Sequence, residues 1–169
     1  MVISMKTNKL LNPLSLFFVG LFLGALSRAF DMYYPNLGEI FSQMSVWILL
    51  GTLIAIYSPT KKAAMRNILP FCMGMLLTYY ATAMLTQGVY GRTFMIGWTI
   101  FALLSPVMAY FAWMVKQRGL LSKVIGAGIV LISILSSVLL FDRLRLYDLV
   151  LDGVLVYFVF FKRIDRHKS

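Results

Sequence analysis

The stretch FDRLRLYDLVLDG, residues 141–153, holds the side chains of this chain that are best suited to chemistry. It contains Asp142, Arg143, Arg145, Asp148 and Asp152, and these include three of the six acidic residues of the protein. Asp148 and Asp152 are four residues apart, which places both carboxylates on one face of a helix. Two carboxylates one turn apart repel each other unless protons or cations separate them.

Three interpretations of Asp152 are open. Its carboxylate could pair with an arginine and tie two helices together, belong to an outward-facing polar site, or relay a proton or cation. A charge well inside a membrane span costs about 2.5–3.5 kcal/mol, so the side chain should face the bundle interior, water or a partner. We expect arginines to hold Asp148 and Asp152. We also expect Arg28 to lie near a carboxylate of the sixth helix or of the loop before it, rather than to pair only with Asp31.

The other candidate binding residues map to the same end of the predicted bundle. Arginine suits bidentate contact with carboxylates or phosphates, and tyrosines at this end could form either an interfacial belt or part of a site. Tyr79 and Tyr80 are adjacent, so on a helix they point about 100° apart and cannot both face the same neighbour. The predicted ligand-binding residues are Arg28, Tyr79, Tyr80, Arg92, Arg145, Asp148 and Asp152.

The composition is that of a membrane protein, because 60% of the 169 residues are hydrophobic and only 13% are charged. The net charge of +10 would suggest nucleic acid in a soluble protein. In a multi-pass protein it follows from basic residues on the cytoplasmic side, so no nucleic-acid partner is predicted. One cysteine, Cys72, and one histidine, His167, exclude a disulfide framework and a Cys/His metal cluster. No catalytic motif is present, so the sequence predicts no enzyme, no catalytic residue, no metal site and no cofactor.

The elements that position these residues are predicted to be membrane-spanning helices. A span needs about 20 mostly apolar residues. Gly, Pro and charged residues separate the apolar segments and mark turns, as in DMYYPNLGE. The predicted fold is an all-α integral membrane bundle of six transmembrane helices in a single domain, residues 1–169. Its spans are roughly 13–30, 41–58, 67–87, 93–115, 122–141 and 144–161.

The charged residues predict the orientation of the bundle. With the N-terminus inside, the inner segments hold 12 of the 16 basic residues, and every inner segment is basic. The positive-inside rule therefore places both termini in the cytoplasm. Five of the six acidic residues fall on the outer side together with four arginines and no lysine. Basic residues at the inner face could also bind anionic lipid headgroups.

Several segments carry a resemblance to known proteins. GLFLGALSRAFD, WILLGTLIAIYS, MGMLLTYYATAML and GW…SPVMAYFAWM, in this order, resemble an uncharacterised family of small six-span bacterial membrane proteins. The resemblance implies a multi-pass protein of the bacterial cell (inner) membrane and implies no function. In architecture alone the chain is also similar to the substrate-binding subunits of energy-coupling-factor transporters and to the cell-shape membrane protein that accompanies the bacterial actin.

Two functions of different classes agree with these features. The first is a transport-associated membrane protein whose outward-facing polar site binds a small solute. The alternative is a non-catalytic interaction or scaffold protein, whose polar stripe only holds helices or a protein partner together. Stabilisation by a solute distinguishes them, because a pure scaffold shows none.

Overall fold

Helix is the only regular structure in the part of the chain that the computed structural model describes. That part is residues 11–41, 43–86, 92–141 and 145–164, without the side chains of Pro35, Phe94, Leu140 and Phe141. The helices are α1 (Pro13–Tyr33), α2 (Pro35–Phe41), α3 (Met44–Tyr57), α4 (Lys61–Leu85), α5 (Arg92–Met114), α6 (Leu120–Phe141) and α7 (Leu146–Val156). A π-helical turn, Tyr157–Phe161, continues α7.

The all-α prediction is confirmed, and each of the six predicted spans coincides with a helix. Four helices are long and apolar enough to cross a membrane: Pro13–Tyr33, Lys61–Leu85, Met95–Met114 within α5, and Leu120–Leu139 within α6. The 14 residues of α3 and the 11 of α7 fall short of this length. The chain is therefore a membrane protein with four helices that meet the requirements for a span.

The segment DMYYPNLGE, residues 31–39, includes the end of α1 and the start of α2, where the sequence indicated only a turn. Pro35 occupies the first helical position, where its missing N–H costs little. Gly38 lies so close to the backbone of Asp31 that a methyl group on it would collide. The absence of a side chain at Gly38 lets α2 fold back against α1.

Helices α1 and α4 run parallel and pack backbone to backbone. Gly20 and Gly24 of α1 lie directly against the carbonyl groups of Phe71 and Met75 on α4. Residue numbers rise together along this contact, which gives its direction. The Gly20-x-x-x-Gly24 pattern thus serves packing within the chain, as expected from small residues on membrane helices.

Helix α3 runs antiparallel to this pair. Its last turn meets the start of α4, because Asn67 donates a hydrogen bond of 3.2 Å to the Ser58 hydroxyl. It meets the end of α5 as well, since the Trp113 indole donates to the Ser58 carbonyl at 3.1 Å. At the other end of α3, the rings of Trp47 and Trp98 lie 6.4 Å apart. Helix α3 therefore returns the chain from the end of α1 to the start of α4.

Helices α6 and α7 form an antiparallel pair. Ser133 of α6 donates a hydrogen bond to Asp152 of α7 at 2.6 Å. About two turns along α6 from Ser133, Gly126 lies against the side chain of Val159 in the π-helical turn. Apart from the short helix α2, successive helices thus alternate in direction along the chain. Their termini lie at the two ends of the bundle.

The two ends differ in charge. The basic end, where α1, α4 and α6 begin, has no acidic residue within the described ranges; it holds Lys61, Lys62, Arg66, Lys116, Arg118, Lys123, Lys162 and Arg163. The mixed end, where α3, α5 and α7 begin, carries both signs; it holds Arg28, Asp31, Glu39, Arg92, Arg145, Asp148 and, deeper, Asp152.

Candidate functional site

The structure divides the predicted site residues between two helix pairs at the mixed end. On α1 and α4, the Tyr79 hydroxyl donates a hydrogen bond of 2.9 Å to the Asp31 carboxylate. The Arg28 guanidinium lies 4.0 Å from Asp31 and donates to the Thr86 hydroxyl at 3.3 Å. The ion pair of Arg28 is therefore made within its own helix. Arg28 does not form the expected pair with Asp148 or Asp152, and Asp142, in the loop before the sixth span, lies outside the described residues.

Tyr80 faces a different neighbour from Tyr79, as their spacing predicts. Its hydroxyl donates to the Met95 carbonyl on α5 at 3.0 Å. The two tyrosines, with Trp47, Trp98 and other side chains, line a partly open cavity of about 20 Å³. A cavity needs about 10–15 Å³ to hold a water molecule, so this one has room for a single water. Both hydroxyls thus serve to join α4 to its neighbours.

The second group lies at the start of α7, where Arg145 is the N-cap residue. Its guanidinium forms an ion pair of 2.5 Å with Glu39 of α2 and a hydrogen bond with the Tyr147 hydroxyl. Arg145 therefore fastens α2 to α7.

Asp148 and Asp152 are both buried on α7, at 0% and 5% exposure. One oxygen of Asp148 accepts a hydrogen bond of 3.0 Å from the Arg145 backbone N–H in a capping box. One oxygen of Asp152 accepts from the Ser133 hydroxyl. The second oxygen of each carboxylate is buried without a hydrogen-bond partner.

No described arginine side chain pairs with either carboxylate, which contradicts the expectation for Arg28, Arg92 and Arg145, while Arg143 lies outside the described residues. The ion pairs among the described residues are Arg28 with Asp31 and Arg145 with Glu39. Arg92 is exposed at the first position of α5 and belongs to neither group. Arg145 reaches Asp148 only through its backbone N–H, because its side chain turns towards α2.

Sequence reasoning missed several polar residues near this end. Ser133 and Ser137 are buried on α6, and Ser133 contacts Asp152 directly. Their i, i+4 spacing within an otherwise apolar span is a signal that could have identified a polar face. Gln43, the N-cap residue of α3, is fully buried, and neither of its amide atoms has a hydrogen-bond partner. Ser45 is buried with an unpartnered hydroxyl as well.

This arrangement suits the binding of positive charge. A buried carboxylate without a cation either takes up a proton or attracts a cation, because its charged form is poorly solvated. Hydroxyl oxygens such as that of Ser133 can also accept hydrogen bonds from a bound ammonium group. The described residues contain no group of three or more His, Cys, Asp or Glu that could hold a metal ion. The α6–α7 pair thus brings together two buried carboxylates and a serine hydroxyl, groups that can accept a proton or hydrogen bonds from a cationic ligand.

No curated protein and no solved structure gives a significant match to the chain. The architectural likeness to transporter subunits accordingly stays a prediction. A family comparison does match residues 5–144, which are well over half of the chain. The chain belongs to this family, a family of unknown function (DUF6518).

Proposed function

We propose that this protein is a transport-associated membrane protein that binds a small cationic solute at its mixed end. All six predicted spans cross a bacterial cell membrane in this proposal, with the basic end in the cytoplasm and the mixed end outside. The parallel packing of α1 with α4 supports six crossings, since α3 has to return the chain between them. Its 14 residues span about 21 Å, and a bilayer can thin locally to accommodate a short helix.

One observation carries the functional proposal: Asp148 and Asp152 are buried one turn apart, and no described cationic side chain pairs with either. Two such carboxylates repel each other and are poorly solvated, so a bound positive charge would relieve both costs. Ser133 orients one Asp152 oxygen and leaves the other free for a ligand. The site thus favours a monovalent cation or an amine over an anion.

Cation-dependent thermal stability tests this proposal. The full-length protein in detergent is melted in sodium, ammonium or methylammonium chloride and, as reference, in N-methylglucamine chloride at equal ionic strength. A cation present at 100 times its Kd stabilises the folded state by about 2.7 kcal/mol, so the Tm should rise with concentration. Asp152→Asn should abolish the rise, whereas Asp31→Asn, a matched change in the α1–α4 group, should preserve it.

Two results would refute cation binding at this site. One is a Tm that responds to none of these cations between about pH 5 and pH 8, a range in which unperturbed carboxylates are charged. The other is a response in Asp152→Asn that equals the response of the unmodified protein.

A scaffold function is the second candidate, and the contacts of Arg145 favour it. The Arg145–Glu39 ion pair and the Asp148 capping box fasten α2 to α7, as a purely structural polar stripe would. A scaffold needs no catalytic group, and its ligand is a protein partner. The melting experiment separates the two candidates, because a scaffold gains no stability from a small cation.

A further inference from the structure

A concave pocket at the basic end lies where α5 and the π-helical turn both finish. Its volume is about 510 Å³, within the range of about 300–1,000 Å³ that is usual for small-molecule sites. Basic and polar side chains dominate one part of its lining, and no carboxylate of the described residues contributes to it. The polar lining residues are Lys116, Gln117, Arg118, Lys162 and Arg163.

Lys116 organises this pocket. Its ammonium group donates hydrogen bonds of 2.8 Å to the carbonyl oxygens of Val159 and Lys162. These carbonyls lie in and directly after the π-helical turn, at a helix terminus that carries partial negative charge. Lys116 compensates this charge, so the terminus does not repel an anion that approaches Arg118 or Arg163.

The turn between α5 and α6 presents Arg118. Gly119 has a φ of 128°, a conformation that residues with a side chain rarely adopt. The chain reverses here directly after Arg118, whose side chain is exposed. Arg118 and Arg163 thus come from two different elements and line one concavity, in a geometry suited to a phosphate group.

Apolar side chains continue from the rim of the pocket along the outside of the bundle. Phe160 lines the pocket and is 44% exposed, and Phe161 beside it is 71% exposed. Leu120 and Leu121, at the start of α6, are 78% and 60% exposed. A ligand for this place should therefore combine an anionic group with a hydrocarbon chain.

We propose that this pocket binds the phosphate headgroup of an anionic phospholipid. The phosphate contacts Arg118, Lys162 and Arg163, and the acyl chains lie along the exposed phenylalanine and leucine side chains. The site is independent of the cation site proposed at the opposite end and of the function assigned to it. Free phosphate shares the headgroup chemistry but lacks the hydrocarbon chains, so the two sources can be distinguished.

Lipid titration of the full-length protein in a neutral detergent tests this site. The Tm is followed on addition of phosphatidylglycerol, phosphatidylcholine or inorganic phosphate, and bound lipid is counted by native mass spectrometry. Phosphatidylglycerol should stabilise the protein, and the other two should do so much less. A basic side chain near an anionic surface contributes about 1 kcal/mol, so R118Q/R163Q should weaken phosphatidylglycerol binding by about 30-fold.

Two further variants complete the design. K62Q/R66Q removes two charges from the basic end on α4, outside the pocket, and should retain nearly full binding. R118K/R163K keeps the charge and should bind far better than R118Q/R163Q, which separates loss of charge from a folding defect. Equal binding in R118Q/R163Q and K62Q/R66Q would overturn the site. Equal stabilisation by phosphatidylcholine or by inorganic phosphate would overturn its assignment to an anionic lipid.

Discussion

At the scale of single residues, the two buried aspartates have different environments although they are one turn apart. Asp148 caps the first turn of α7, whereas Asp152 lies deeper and contacts Ser133 of α6. The arginine expected to hold them, Arg145, pairs instead with Glu39, whose side chain is 43% exposed. In this pair the Glu39 carboxylate stays partly solvated, which lowers the desolvation cost relative to a fully buried pair. Within the described ranges, the consequence is that the buried Asp152 carboxylate has no ion-pair partner.

Asp152→Asn should therefore raise the Tm in detergent at neutral pH when no binding cation is present. The change removes a charge whose burial costs several kcal/mol, and the amide oxygen can still accept from Ser133. A gain of 1 kcal/mol corresponds to about 2–4 °C in a protein of this size. An arginine partner, as expected from the sequence, would give the opposite result, because the change would leave that arginine unpaired. Fluorescence-detected melting decides, and a lower Tm in Asp152→Asn would restore the idea of a paired carboxylate.

At the scale of the elements, close helix contacts depend on particular glycines rather than on glycine content. Gly20 and Gly24 lie against backbone carbonyls of α4, whereas Gly128 and Gly153 have open space where a methyl group would be. Gly153, although it lies beside Asp152, thus does not mark a close approach of another helix. The tightest packing in the described structure is between α1 and α4, which places Arg28 beside Thr86 and Asp31 beside Tyr79.

Gly24→Ala should destabilise the protein by about 1–3 kcal/mol, as overpacking of a well-packed interface does. Its methyl group would meet the Met75 carbonyl and the Thr78 hydroxyl, and a backbone carbonyl cannot rotate away. Gly128→Ala is the matched control; its methyl group meets nothing, and alanine favours helix by up to about 1 kcal/mol over glycine. The Tm of both variants in detergent is the measurement. An unchanged Tm in Gly24→Ala would mean that α1 and α4 separate easily.

At the scale of the whole molecule, the alternating helix directions separate the charges into a basic end and a mixed end. This separation of charges depends on the directions of the short helices α3 and α7 as well as on those of the long helices. The start of α3 is at the mixed end with Trp47, and its last turn contacts α4 and α5 at the basic end through Ser58. A basic end on one side and an end of mixed charge on the other is the pattern that the positive-inside rule produces across a membrane.

Reporter fusions should place the basic end in the cytoplasm. Fusions after Lys62 and Arg118 should give cytoplasmic signals, and fusions near Pro35, Gly88 and Arg143 should give external ones, because basic loops are retained inside. Paired phosphatase and fluorescent-protein reporters at each site provide the measurement and its internal control. An external signal after Lys62 would reverse the bundle and place the aspartate site on the cytoplasmic side.

The sequence by itself determined the membrane class, the helical elements and their approximate limits. The length of an apolar segment and its boundaries at Gly, Pro and charged residues are local properties of the sequence. They sufficed to locate the helices that coincide with the six predicted spans. The match to an uncharacterised family also agrees with what the segments around GLFLGALSRAFD indicated. The short helix α2 was missed because seven residues around a proline carry too little periodic signal.

Only the tertiary structure decided which polar side chains meet. The sequence grouped Arg28, Tyr79, Arg145 and Asp152 at one end, because all map to the same side of a membrane. It could not assign them to helix pairs, since backbone contact between α1 and α4 depends on how helices dock and not on where they begin. That docking pairs Arg28 with Asp31, the docking of α2 on α7 pairs Arg145 with Glu39, and Asp152 is left with Ser133.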